Sequence, residues 1–271
     1  MRSNNVLGFI FAATLDDKIP ELASSRTTAS VPIGGKYRII DFDLSNMSNS
    51  GISNVGIVAK SNFQSLMDHV GSGSAYDLSK RRSNLSILPP YDGKAFSSFV
   101  ETIYNMHGYI EHCREEYVLI SQGNVITNID YTDVFDFHSK KKADITLIYK
   151  NHAIPQGYDR PITLDVDNDG KVNQIFVKPG VVDKGVFNHA YGSILIKKDL
   201  LMSEIRNAIS VNQLDVKRLL QSSLGKYSIY AYENKGYCAA ISSINDYFEF
   251  NMDLMKKGMS FSIRKDLSIQ R

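Results

Sequence analysis

The chain has 271 residues, and its 31 lysines and arginines nearly cancel its 29 aspartates and glutamates, so no charge surplus points to nucleic acid or an anionic membrane. A composition of 43% hydrophobic and 22% charged residues excludes a disordered chain. Two cysteines, Cys113 and Cys238, are too few for a disulfide framework or a cysteine-based zinc site. The longest apolar run, Val6 to Leu15, is about half a membrane span and lacks the flanks of a secretory signal. We therefore expect a cytoplasmic protein with no nucleic-acid or membrane partner.

The first half of the chain alternates apolar runs with helical patterns. Continuous apolar runs are typical of strands buried on both faces. Such runs predict strands at Val6–Ala13, Asn54–Ala59 and Tyr117–Ile120, followed by a further strand at Ala143–Lys150. Helical spacing of apolar residues predicts one helix over Phe99–Cys113 and another over Asp133–Lys142.

The second half contains shorter, alternating segments. Ile162–Val166 and Val172–Val177 alternate apolar and polar residues, and Asn168-Asp-Gly170 between them predicts a hairpin turn. The remaining segments predict a strand at Tyr191–Ile196, one or two helices over Lys198–Ser223, a strand at Tyr227–Tyr232 and an amphipathic helix over Ser243–Lys257 ended by Gly258. This order predicts an α/β fold with a mostly parallel sheet, in which ligands bind beyond the carboxyl ends of the strands.

One segment is too specific for composition to explain. It is VPIGGKYRIIDF, Val31 to Phe42, and it continues as Leu44-Ser-Asn46 and Asn49-Ser-Gly-Ile52. It resembles the signature of bacterial glucose-1-phosphate adenylyltransferases (ADP-glucose pyrophosphorylases). Further similar motifs follow in the family's order at Ile129-Asp-Tyr131, Phe176-Val-Lys-Pro179, Gly236-Tyr237 and Asn251-Met-Asp-Leu254.

The resemblance implies a Rossmann-like sheet of the nucleotidyltransferase, glycosyltransferase-A-like type. The family joins glucose 1-phosphate to ATP with magnesium assistance and releases pyrophosphate. Two polyanions must meet in such a reaction, so a glycine-rich loop, basic side chains and magnesium-binding carboxylates are needed to offset their charge. Each of these requirements can be sought in the sequence.

The family's glycine-rich phosphate loop is degenerate in this chain. Its glycines correspond to Ala13, Thr14 and Asp16, whose Cβ atoms occupy the space that a triphosphate needs. The aspartate also adds negative charge beside the phosphates. Lys18 stands at the family's arginine position and keeps the charge without the bidentate guanidinium. We expect this loop to bind ATP poorly.

The family's two magnesium-binding aspartates are also replaced. The resemblance places Asn124 at the first position and Ala240 at the second. An amide oxygen is a weaker magnesium ligand than a carboxylate, and a methyl group is none. We therefore expect no catalytic residues at the degenerate positions Lys18, Asn124 and Ala240, and no metal site.

Three basic residues remain as candidates for binding a sugar phosphate or nucleotide: Lys36, Arg38 and Lys178. The alternative for the first two is a tight Gly34-Gly35 turn before a strand-like Ile39-Ile40. The alternative for Lys178 is a solvated lysine at a strand end. Asp41 and Asp43 could pair as metal ligands, but a role in capping or hydrogen bonding the Leu44–Asn46 region is the stronger expectation.

Loss of every catalytic feature beside an intact signature resembles the non-catalytic D-type regulatory subunit of bacterial glycogen synthesis. The resemblance implies a hetero-oligomer with a catalytic subunit that binds Mg²⁺, while this chain alone needs no cofactor. The alternative is a weakly active glucose-1-phosphate adenylyltransferase or a related sugar-phosphate nucleotidyltransferase. We expect a nucleotidyltransferase-like domain at residues 1–258 and, at 259–271, the start of a linker toward a left-handed β-helix domain that the chain lacks.

Overall fold

The computed structural model describes residues 3–12, 19–59, 62–79, 84–89, 98–153, 162–177 and 186–256. None of the helices within these ranges is both long and apolar enough to cross a membrane. The helices are α1 (Pro20–Ala23), α2 (Ile39–Asn49), α3 (Gln64–Val70), α4 (Phe99–Asn105), α5 (His107–His112), α6 (Tyr131–Lys141), α7 (Lys198–Ser210), α8 (Val216–Ser223) and α9 (Ile244–Leu254).

Strands account for most of the remaining described structure. They are β1 (Val6–Phe11), β2 (Pro32–Ile33), β3 (Tyr37–Arg38), β4 (Asn54–Val58), β5 (Asn84–Leu88), β6 (Tyr117–Gln122), β7 (Val125–Thr127), β8 (Ile145–Ala153), β9 (Ile162–Val166), β10 (Val172–Val177), β11 (Val186–Lys197), β12 (Ile229–Glu233) and β13 (Cys238–Ala240). Strands and helices together form the α/β fold with a mostly parallel sheet that the sequence predicts.

The chain folds into two compact units. The motif unit comprises Gly8–Pro90, Ile120–Thr132 and Lys235–Arg271, and it contains the signature segment. The hairpin unit comprises Met1–Leu7, Tyr91–Leu119 and Asp133–Asn234. Since β1 and β6 begin in the hairpin unit and end in the motif unit, the carboxyl ends of both strands belong to the motif unit.

In the motif unit the strand order is β6-β1-β4-β5, and β4 pairs with β5 in parallel. Two small antiparallel pairs, β2 with β3 and β7 with β13, lie outside this row. Helix α2 is buried along its length, with every residue from Ile39 to Ser48 inside the unit. The predicted strand-like Ile39-Ile40 is therefore wrong, because these residues open a helix. Apolar and polar residues alternate from Ile40 to Leu44 and both kinds are buried, so the start of this helix resembles a strand in sequence.

A hydrophobic cluster joins the signature segment to the C-terminal part of the motif unit. The Phe42 ring on α2 packs edge-on against Phe250 on α9, with ring centroids 5.8 Å apart. The buried members of the cluster are Ile19, Val31, Ile33, Ile39, Phe42, Ile126, Ile241 and Phe250. Burial of these apolar side chains is the main force holding three distant chain segments together.

In the hairpin unit the strand order is β10-β9-β11-β6, and β8 pairs with β11 and, in parallel, with β12. The predicted hairpin is confirmed, because β9 and β10 pair antiparallel. The Asp167 carboxylate accepts hydrogen bonds from the backbone N–H groups of Asp169 (2.8 Å) and Lys171 (2.9 Å). Gly170 adopts φ +86°, a left-handed conformation that favours glycine.

Two helix predictions change in detail. The predicted helix over Phe99–Cys113 is wrong as a single element, because it is interrupted at Met106, where α4 ends before α5 begins. The Lys198–Ser223 segment forms two helices, α7 and α8. Helix α9 ends at Leu254, and both Gly258 and the 259–271 segment lie outside the described residues.

Candidate functional site

The glycine pair of the signature forms the turn of the β2–β3 hairpin. Gly34 and Gly35 have φ angles of +57° and +72°, which residues with a Cβ rarely adopt. Lys36 follows them and is exposed, with its ammonium nitrogen 5.6 Å from the centroid of the Tyr37 ring. The turn thus presents one cation to solvent, as a phosphate-binding residue requires.

Helix α9 holds this hairpin in place through two hydrogen bonds. The Gly34 backbone N–H donates to Oδ1 of Asn251 (3.1 Å), and the Tyr247 hydroxyl donates to the Pro32 carbonyl (2.9 Å). A Cβ added to Gly34 would lie 3.0 Å from the Leu254 side chain. Two motifs that the sequence places more than two hundred residues apart therefore meet in one place.

Arg38 is committed to a structural contact. Its Nη1 donates to the Ser65 hydroxyl (2.7 Å) and to the Ser65 carbonyl, which ties the start of α2 to α3. Burial and, next, the neighbouring Arg26 lower the pKa of Arg38, while Asp41 opposes this shift. Of the two basic candidates in the signature, Arg38 is half-buried and engaged with Ser65, and Lys36 is exposed.

Asp41 lies at the first turn of α2 and accepts several hydrogen bonds. Oδ2 accepts from the Arg38 backbone N–H (2.9 Å), and Oδ1 is 2.7 Å from Nε2 of His69 and also accepts from the Tyr76 hydroxyl. Burial alone would raise the pKa of Asp41, but His69, Tyr76 and the backbone bond together hold it below its usual value. Asp41 thus caps the start of α2 at Arg38, and not the Leu44–Asn46 region for which the capping role was expected.

The two positions that carry magnesium-binding aspartates in the resembling family lie next to each other here. Strands β7 and β13 pair so that Ala240 is opposite Val125. The Ile241 N–H donates to the Asn124 carbonyl (2.8 Å), and the Asn124 side-chain amide donates to the Ile241 carbonyl (3.3 Å). Asn124 and Ala240 are both buried, at 2% exposure each.

This donor set does not fit magnesium. Mg²⁺ requires oxygen ligands, commonly one or two carboxylates, and the pair offers one amide oxygen and a methyl group. Oδ1 of Asn124 is buried and has no hydrogen-bond partner among the described residues. Over the same part of the chain, no group of three or more histidine, cysteine, aspartate or glutamate side chains is arranged to hold a metal ion.

The residue before Asn124 is pressed against the end of β1. The Gly123 N–H donates to the Phe11 carbonyl at 2.8 Å, and a Cβ at Gly123 would lie 2.8 Å from that same oxygen and 3.1 Å from the Ala29 Cβ.

We expect Gly123→Ala to lower the free energy of unfolding by about 2 kcal/mol, because backbone atoms must move to admit the methyl group. Chemical denaturation measures this, with Gly108→Ala as the control, since a Cβ at Gly108 meets nothing within 4 Å. Equal stability of the two variants would contradict the close approach.

The structure does not reach every predicted site residue. Ala13, Thr14, Asp16 and Lys18 of the degenerate loop lie outside the described residues, and so does Lys178. Lys36, Arg38, Asn124 and Ala240 all belong to the motif unit.

Sequence reasoning missed the residues that surround Asp41. His69 and Tyr76 are 28 and 35 residues away along the chain, and Ser65 is 27 residues from Arg38. Nothing in their local sequence marks them as partners of the signature. The Asn251–Leu254 motif did carry a signal, since Asn251 proves to hold the Gly34 turn.

Comparison with known proteins places this architecture. The profile of the family described as Nucleotidyl transferase matches residues 17–256. A solved structure from Bacillus anthracis, described as a "Putative Glucose-1-Phosphate Thymidylyltransferase", shares the fold with a TM-score of 0.75 over 95% of this chain and 98% of that chain. At 12% identity this likeness concerns the fold alone. The profile places the chain in the nucleotidyl transferase family, and the fold agrees with this.

Sequence relatives narrow the assignment. The glucose-1-phosphate adenylyltransferase of Clostridium acetobutylicum is 31% identical over 273 residues, covering 97% of this chain and 70% of that protein. The enzyme of the same name from Bacillus subtilis is 31% identical over 265 residues, covering 93% of this chain and 67% of that protein. The chain belongs to the glucose-1-phosphate adenylyltransferase family.

Proposed function

We propose that this chain is a regulatory, catalytically deficient subunit of glucose-1-phosphate adenylyltransferase in bacterial glycogen synthesis. It acts by assembling with a catalytic homologue in the cytoplasm, and the homologue binds the Mg²⁺ and converts ATP and glucose 1-phosphate to ADP-glucose and pyrophosphate. Regulation is then conformational, because binding to one state of the partner shifts the partner's equilibrium toward that state.

The observation that carries the proposal is the adjacent pair Asn124 and Ala240. The pairing of β7 with β13 places Ala240 opposite Val125 and Asn124 against Ile241, so the two positions are neighbours along the paired backbones, and neither side chain carries a charge. Adenylyl transfer needs a cation to offset the charge of the phosphates in the transition state. The degenerate loop residues Ala13, Thr14 and Asp16 add a second, independent obstacle to ATP binding.

The retained basic residues support a role in sensing. Lys36 is exposed on a hairpin whose position is fixed by α9, so a sugar phosphate or nucleotide can reach its ammonium group. Arg38, by contrast, is engaged with Ser65. Lys178 remains a candidate contact from the resemblance.

We expect Lys36→Ala to weaken binding of glucose 1-phosphate without changing stability, with Lys140→Ala on the exposed surface of α6 as the matched control.

An activity assay with and without the partner tests the proposal. The chain is purified alone, the catalytic homologue of the same organism is purified alone, and both are mixed in equal amounts with ATP, glucose 1-phosphate and Mg²⁺. We expect ADP-glucose formation by the chain alone to be about a thousandfold or more below that of the homologue, because two ligands of the catalytic cation are missing. We expect the mixture to exceed the homologue alone, and light scattering to show a complex.

Two outcomes would overturn this function. Turnover by the chain alone at a rate comparable to the homologue would make it an enzyme in its own right. Absence of a complex, together with unchanged activity in the mixture, would remove the regulatory role. Heat-inactivated chain at the same concentration controls for nonspecific stabilisation of the homologue.

A further inference from the structure

Asp43 is a buried acid for which the proposed function has no use. It lies on α2 at 1% exposure, inside the motif unit. Its Oδ1 accepts a hydrogen bond from the Ser121 hydroxyl at 2.7 Å, and its Oδ2 is buried without a hydrogen-bond partner among the described residues. A carboxylate can accept about four hydrogen bonds, so an ionised Asp43 is left largely unsolvated.

Asp41, two residues earlier on the same helix, is a buried carboxylate that has several hydrogen-bond donors. It accepts from the Arg38 backbone, from Tyr76 and at His69, a group that can itself carry positive charge. Asp43 has one donor, and that donor is a neutral hydroxyl. Geometry thus favours the charged form at Asp41 and the neutral form at Asp43.

The groups that face Asp43 do not supply a compensating charge. The Tyr131 phenol at the start of α6 interacts electrostatically with Asp43, and Cys238 on β13 interacts in turn with Tyr131. No lysine, arginine or histidine of the described chain contributes to the pKa of Asp43. Burial raises that pKa to about 7, and the Ser121 hydrogen bond opposes the shift only in part.

The Asp43–Ser121 contact is one of several polar links that join α2 and Ser50, the residue after it, to residues 121–131. The Asn46 amide donates to the Thr127 carbonyl (2.9 Å). The Ser50 hydroxyl accepts from the Tyr131 backbone N–H (2.8 Å). The linked segment includes Gly123 and Asn124. These bonds therefore attach α2 to the part of the candidate site that follows β6.

We propose that Asp43 carries a proton in the folded protein at weakly acidic pH, and that losing this proton as the pH rises to neutrality loosens the contact between α2 and residues 121–131. The ionised carboxylate needs further donors, which only water or a displaced backbone can supply. The segment that carries Asn124 is thereby made responsive to pH. This inference stands independently of the proposed regulatory function.

The direction of the effect follows from the two protonation states. The closed contact binds the proton more tightly than the open segment, whose aspartate has the ordinary pKa of 3.8. The free energy that favours the closed contact is therefore largest below about pH 4, decreases as the pH rises, and is constant at a lower value above about pH 7. Burial lowers the pKa of His138 and His189 to about 4 and about 3, which acts in the opposite direction but within the hairpin unit.

Hydrogen exchange of the whole chain tests the proposal locally. We expect the opening of peptides within 121–131, corrected for intrinsic chemical exchange, to increase at least about tenfold between about pH 5 and pH 7. In Asp43→Asn, which cannot ionise, the same peptides should change by less than about twofold. Equal pH dependence in both proteins would overturn the proposal.

A second measurement keeps the test independent of how well that variant folds. Carbon NMR of aspartate labelled at the carboxyl group follows each side chain through its titration. We expect one resonance to titrate near pH 7 in the wild type and to move to higher pH in Ser121→Ala, because this variant lacks the hydrogen bond that favours the charged form. If every aspartate resonance titrates below about pH 5, Asp43 is ionised in the fold and the proposal is wrong.

Discussion

Asp41→Asn is expected to lower the free energy of unfolding by about 3 kcal/mol at neutral pH. The substitution keeps the shape but replaces one acceptor oxygen by an amide that can only donate. The amide either faces the Arg38 N–H donor, or requires His69 and Tyr76 both to turn from donating to accepting, and the charge that holds these groups is lost in either case. Urea denaturation followed by circular dichroism measures the loss.

The same substitution two residues further along the helix is the matched control. Asp43→Asn removes no established charge interaction and should change stability at neutral pH by less than about 1 kcal/mol, or increase it. A double-mutant cycle between Asp41→Asn and Tyr76→Phe should show non-additive losses, because both remove the same hydrogen bond. Equal losses from the two asparagine variants would contradict the opposite environments of these carboxyl groups.

Restoring the missing carboxylates is expected to make stability depend on magnesium. In Asn124→Asp with Ala240→Asp, two acids enter positions that are each 2% exposed. The new carboxylate at 124 also faces the Ile241 carbonyl, to which the asparagine amide donates. Without divalent cations we expect a loss of about 4 kcal/mol, since buried like charges repel and lack solvation.

Magnesium at about 10 mM should return at least about 1.4 kcal/mol of that loss, which corresponds to a dissociation constant of about 1 mM. The wild type should show no such gain. Asn124→Asp with Ala240→Asn adds similar volume with one charge fewer, and its magnesium-dependent gain should be smaller. Equal stabilisation of the wild type and the double acid would show that these positions do not determine cation binding.

The restored variant also tests the degenerate loop. We expect it to form little ADP-glucose, because the sequence still has Ala13, Thr14 and Asp16 where the resembling family has the glycines of its phosphate loop. Strong recovery of activity from the two substitutions alone would contradict the importance that we assign to the loop.

Local patterns predicted those parts of the fold that local interactions determine. The turn at Asn168–Gly170 is stabilised by the neighbouring Asp167 carboxylate, which accepts backbone hydrogen bonds, and by its own glycine. The hairpin could therefore be predicted from a few residues. The start of α2 could not be predicted, because apolar and polar residues alternate from Ile40 to Leu44 as they do in a strand, and only the tertiary fold buries both kinds in a helix.

The candidate site was predictable only through resemblance. Periodicity gives no reason to place Asn124 against Ile241, the neighbour of Ala240, since this contact depends on pairing between strands more than a hundred residues apart. The opposite environments of Asp41 and Asp43 were equally hidden. Each depends on donors such as His69 and Ser121 that the tertiary fold brings in from elsewhere.

The two hydrogen bonds from α9 to the signature hairpin have a consequence for biosynthesis. They join residues that are 217 and 215 positions apart in the sequence. The α9 partners of Gly34 and Pro32 therefore leave the ribosome long after the β2–β3 hairpin does. Most of the hairpin unit is one uninterrupted stretch, Asp133–Asn234, whose pairings are complete earlier in translation. The motif unit is assembled from three separated stretches and can close only once α9 has emerged. A nascent chain arrested before Ile244 therefore carries the whole signature sequence without the helix that fixes its shape.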